Sequence, residues 1–111
     1  MFKGLGDMAG MMAKAKEMQA KMEEMQGRIA DIEAEGEAGA GLVTAKVTGE
    51  GVVKGLNIDQ SIFQPSEKEV VEDLILAAIK DAREKADRMA AQEKEKLTEG
   101  LGLPPGMNLP F

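Results

Sequence analysis

Lys14, Lys21 and Arg28 stand seven residues apart, and Lys16 lies close to the first of them. On a helix that spacing lines three cations along one flank. Such a row is either solvated and tied into ion pairs, as charges beside an apolar seam commonly are, or it meets successive phosphates of a polyanion. A second group, Arg83, Lys85 and Arg88, falls in a stretch from Lys80 to Lys96 that is dense in both signs of charge. There Asp81/Lys85 and Glu84/Arg88 are spaced as i,i+4 pairs that neutralise one another across a helical turn.

Other chemistry is missing by residue type. The 111 residues include no His and no Cys, which removes His-based triads, thiol nucleophiles and His-ligated metals. The two serines are Ser61 and Ser66, and Ser66 is spaced to cap a helix. Six methionines, Met8, Met11, Met12, Met18, Met22 and Met25, crowd the first part of the chain; without Cys or His beside them they read as adaptable packing, not as a soft-metal site. Carboxylates are plentiful but fall on faces expected to meet water, without the apolar surroundings that tune an acid or base. No catalytic residue, no metal, no cofactor and no small-molecule substrate is expected.

The charge balance is 14 basic against 20 acidic residues, a net of −6. It is unevenly spread: residues 1–32 balance to zero, while 33–60 and 61–111 carry −3 each. Acidity argues against indiscriminate polyanion binding by the whole molecule, and leaves the first helix as the least repelled part. The lack of Cys suits the cytosol. No apolar run approaches bilayer-spanning length, and the first residues lack an unbroken signal-peptide core. A soluble cytoplasmic protein is expected. A helix lying on a membrane is disfavoured, because Glu17, Glu23 and Glu24 would face anionic headgroups.

The elements that must hold these cations follow from periodicity. Met8, Met11, Ala15, Met18, Met22, Met25, Ile29 and Ile32 recur at alternating spacings of 3 and 4, the pattern of a helix with one apolar seam. It predicts a helix over about 7–33, capped by Asp7. Gly36, Gly39 and Gly41 are expected to end that helix in a strained connection, with Glu35 and Glu37 alternating along a short edge strand. Val43, Ala45 and Val47 then alternate with Thr44, Lys46 and Thr48, and Gly49-Glu50-Gly51 supplies a hairpin turn. The returning strand offers Val52, Leu56 and Ile58 as its inner face, with Gly55 marking a bulge or a close backbone approach. Ser66 with Glu69 is a capping box for a second helix over about 66–98. Residues 1–99 thus form one α+β domain, with strands within about 35–59, and residues 100–111 make a Gly/Pro/Leu tail. Three Phe and no Trp or Tyr leave little to fill a core, so a homodimer is expected.

Several stretches together resemble the YbaB/EbfC family of bacterial nucleoid-associated proteins, along essentially the whole chain. They are the Met-rich segment Met11 to Gln19, Gly36 to Val43, Val47 to Asp59, Glu72 to Ile79, and the closing Asn108-Leu-Pro-Phe111. The resemblance implies a tweezer-like homodimer of helix–three-strand–helix subunits located in the nucleoid. It implies a protein that binds double-stranded DNA with loose sequence preference, alters its conformation and influences gene expression. Carried onto this chain, DNA contact on the helical arms would fall to Lys14, Lys16, Lys21 and Arg28 on the first helix and Arg83, Lys85 and Arg88 on the second. The competing expectation is a non-catalytic interaction module, whose Met-rich seam and apolar tail receive a partner protein.

Overall fold

The computed structural model describes residues 2–100, with side chains from residue 7 onward. In chain order it contains α1 (Phe2–Asp31), β1 (Glu33–Ala38), β2 (Val43–Thr48), β3 (Val53–Ile58), two 3-10 turns at Gln60–Ile62 and Pro65–Glu67, and α2 (Lys68–Gly100). The strands form one antiparallel sheet in the order β1-β2-β3. This is the α+β architecture expected.

The heptad pattern does become one helix, but α1 starts at Phe2, so Asp7 lies exposed inside it and caps nothing. Gly10 and Gly27 are carried within its continuous run, open space around each. At its other end Ile32 N–H donates to Ile29 O at 3.1 Å, and the chain passes directly into β1. Gly36 therefore does not end the helix. It sits in mid-strand, where a Cβ would run into the backbone of Ala78 and Ala82 on α2. The strained connection comes later, at Gly39, Ala40 and Gly41, all with positive φ.

That close approach explains how a chain poor in aromatics builds a core. Ala34, Val43, Ala45 and Val47 from the sheet meet Ala78, Ala82 and Ala86 from α2. Small side chains on the helix, and none on Gly36, bring backbone against backbone, so dispersion contacts replace bulk. Leu74, Ile75 and Ile79 seal the margin.

The returning strand departs from expectation at one end. A register shift opposite Lys46/Val47 makes Val53, and not Lys54, the partner of Val47; Val52 precedes the strand and is exposed. The shift lies beside Gly55, around whose Cα there is open space, so of the two roles suggested for that glycine the bulge is the one observed. Leu56 and Ile58 do share a face with Ala45 and Val43. Leu56 is nevertheless 47% exposed, because α2 lies over β1 and β2 and leaves β3 largely uncovered.

The capping box is also replaced. Ser66 falls inside the turn Pro65–Glu67, which has no side-chain cap and is started by Pro65. The preceding turn is capped instead by Asp59, whose carboxylate accepts from Ser61 N–H at 2.9 Å.

The outline is a rod, 80 × 22 × 15 Å, with a radius of gyration of 21.2 Å. A compact chain of this length would have ~13 Å. Its length comes from the way the helices overlap.

Candidate nucleic-acid interface

Two hydrogen bonds register α1 on α2, with a buried residue of each helix nearby. Arg28 Nε donates to Glu93 Oε2 at 2.8 Å, Lys21 Nζ donates to Gly100 O at 3.5 Å, and Met25 and Leu97 are both buried in the same region. As numbers rise on α1 they fall on α2, so the helices run antiparallel. The far end of α1 is fixed by the sheet: Gly49 N–H donates to Ile32 O at 3.1 Å, and a Cβ on Gly49 would collide with Ile29 O. Among the described residues α2 reaches only as far as the level of Lys21, and residues 2–20 of α1 extend ~28 Å beyond that point.

The seven cations predicted to meet a polyanion fall into two sets. Lys14 and Lys16 are exposed on the projecting arm, and among the described residues neither has an ion pair. Arg88 is likewise exposed and unpaired among the described residues, so the expected Glu84/Arg88 pair does not form. The other four serve the fold. Lys21 pairs with Glu17 at 3.2 Å, Arg28 with Glu93 at 2.8 Å, Lys85 with Asp81 at 2.9 Å, and Arg83 Nη2 donates to Gly51 O at 3.4 Å. The flank of Lys14, Lys21 and Arg28 is thus one row in sequence and two environments in space. Its last two members close the α1–α2 junction, and its first stands clear.

The paired carboxylates register this. Arg28 beside Glu93 holds its carboxyl below the usual range, with Lys96 adding to the effect. Asp81 is lowered chiefly by Lys85 and then by the Glu37 N–H, which donates to Asp81 Oδ2 at 3.0 Å. That last bond ties a backbone donor of edge strand β1 to α2.

Three exposed cations without an ion pair among the described residues, Lys54, Lys80 and Lys94, escaped the sequence-level choice. Lys94 has no ion pair among the described residues; the available signal was that no carboxylate stands three or four positions from it on the helix. Lys54 lies at the β3 bulge, beside a shallow polar depression of about 290 Å3 that Lys46, Thr44, Glu35 and Asn57 also line. Nothing in the local pattern marked it, since the bulge decides where it points. Among the described residues no group of three His, Cys, Asp or Glu is arranged to hold a metal ion, and no helix is long and apolar enough to cross a membrane.

Comparison with known proteins places this arrangement. A nucleoid-associated protein of Agrobacterium fabrum is 55% identical over 105 residues, covering 95% of this chain and 98% of its own. One from Rhizobium meliloti is 52% identical over the same shares. An uncharacterized protein of Helicobacter pylori, solved by crystallography, has the same fold, with a TM-score of 0.61, 18% identity, and coverage of 82% of this chain and 91% of its own. The model of one family, the YbaB/EbfC DNA-binding family, matches residues 3–101, and with these relatives it establishes that the chain belongs to that family.

Proposed function

We propose that this chain is a nucleoid-associated protein that binds duplex DNA as a homodimer, through helical arms standing clear of a β platform. The observation that carries this is the projecting half of α1, whose Lys14 and Lys16 are exposed and free of ion pairs among the described residues. Family membership and the names of the relatives support DNA as the partner. They denote a binding protein, which is not an enzyme class.

The dimer surface we assign to β3. Edge strand β1 is occupied by α2 through Gly36 and Asp81, whereas Val53 and Leu56 of β3 are exposed. Leu76 is 67% exposed and stands seven residues before Arg83, on the side of α2 that reaches the β2–β3 turn. A second copy covering this apolar face would leave both arms free. Arms ~28 Å long could flank a duplex whose major groove is ~12 Å wide. Lys14, Lys16 and Arg88 would meet phosphates first; Lys21, Arg28, Arg83 and Lys85 would contribute by giving up pairs they already make. Contacts of this kind read backbone and shape more than base edges. Bending of the bound duplex and an influence on gene expression follow from that mode of binding.

The test is a titration of duplex DNA at two salt concentrations with the natural chain and with Lys14→Glu/Lys16→Glu. Two lost phosphate contacts should weaken binding more than ~10-fold and make the salt dependence shallower by about 1.8 in log–log slope, with dimers intact by sedimentation. Salt-independent affinity, or equal affinity for the two proteins, would falsify the DNA-arm assignment.

A further inference from the structure

Leu76 is 67% exposed on α2, and the charges about it are ordered. Glu69, Glu72, Leu76, Lys80 and Arg83 follow one another at intervals of 3, 4, 4 and 3. Such intervals keep all five on one face of a helix. They also read the same from either end, with two carboxylates before Leu76 and two cations after it. Inside one chain these charges are little used. Among the described residues Glu69, Lys80 and Arg83 have no ion pair; Arg83 only donates to Gly51 O at 3.4 Å, and Glu72 only meets Lys68 at 3.9 Å. Glu72 and Lys80 stand ~12 Å apart along α2, too far to pair with each other.

We infer that α2 of one copy crosses α2 of a second copy antiparallel at Leu76, where Glu72 and Glu69 meet Lys80 and Arg83 of the partner subunit. The inference rests on the homodimer reading above and supplies its register. A twofold axis at Leu76 brings the residue four before it against the residue four after it, and the seventh before against the seventh after. Each ion pair therefore occurs twice, on either side of one apolar contact. A parallel crossing would set like charges together, which repels. Asp87, further along the same face, falls opposite the turn Pro65–Glu67 and so outside the helical contact. The match of this face to its own reverse selects a second copy, and not another protein, as the occupant. Leu76 lies ~36 Å along α2 from Gly100, which bonds to Lys21, so the crossing leaves Lys14 and Lys16 clear.

Charge exchange separates this register from other ways of pairing two copies. The natural chain, Glu72→Lys, Lys80→Glu and an equimolar mixture of the two variants are compared by sedimentation equilibrium at low salt, without DNA. In either variant alone, both occurrences of the Glu72–Lys80 pair become like-charged, and the dimer dissociation constant should rise at least ~10-fold. In the mixture each variant supplies the charge that the other lacks. Hybrid dimers should then form with an affinity within a few-fold of the natural chain, a rescue that misfolded variants could not give. Natural-like dimers from each variant alone, or a mixture no tighter than its components, would overturn the crossing and leave the homodimer itself standing. A natural chain that stays monomeric would overturn both. Leu76→Asp, at the axis, should weaken the dimer at least as much as either reversal; an unchanged dimer would count equally against the crossing.

Discussion

The two halves of α1 share one repeat and one helical geometry, yet they do different work. After Lys21 the seam meets α2 and the sheet: Met25 is 1% exposed, Arg28 is bonded to Glu93, and the end is held by Gly49. Before Lys21 the same periodicity carries Met11 at 71% exposure beside cations that have no ion pair among the described residues. A heptad seam therefore specifies only that something should pack along it. Among the described residues, α2 supplies that packing only from about Lys21 onward. The clasped half is held by α2 and the sheet, and the other half is exposed among the described residues.

Substitutions should split along the same line. The largest loss is expected at the platform that orients the root: Gly36→Val forces a side chain against the backbone of Ala78 and Ala82 and should cost ~3 kcal/mol in denaturant unfolding. In the clasped half, Met25→Ala empties a fully buried site and should cost about 2–4 kcal/mol, whereas Met11→Ala on the arm should cost below ~1 kcal/mol. Equal costs at the two methionines would erase the distinction between the halves. Smaller still is the Arg28–Glu93 pair at the boundary, partly open to water. A double-mutant cycle with Arg28→Ala and Glu93→Ala should give a modest favourable coupling that shrinks with salt. The smallest effect is a pH dependence. Glu93 and Asp81 are held below their ordinary range in the folded chain, so their contribution is whole at neutral pH. It should begin to fade as pH falls below the unfolded carboxylate range of ~4 and be gone once pH has passed the lower folded values. Glu93→Gln should flatten part of that acid limb in a thermal melt followed against pH.

Much of the architecture was legible because it rests on local period. Alternation at Val43, Ala45 and Val47 wrote the inner face of β2, and the 3–4 spacing wrote α1. The errors lie where a distant element intervened. Gly36 reads locally as a helix stop, but its role is to admit α2, which arrives some forty residues later in the chain. Ser66 and Glu69 spell a capping box, yet Pro65 sets the turn before Ser66 can act. Val52 lost its place on the inner face to a bulge, a shift of one residue that no alternation can announce. For the candidate site, the residue types were legible and the partners were not. Lys14 and Arg28 are equivalent by heptad spacing; the pair of Arg28 with Glu24 is local, and its bond to Glu93 comes from a distant helix.

By itself, then, the sequence determined which segments are helix and strand, which faces are apolar, and that no side-chain set for His or Cys chemistry exists, since these depend on residue type and on periods of two and three and a half. Only the tertiary structure decided how far α2 runs beside α1, which cations are spent on internal pairs, and which apolar surface is left open. Those are matters of length and register between elements far apart in the chain, and local pattern carries no measure of either.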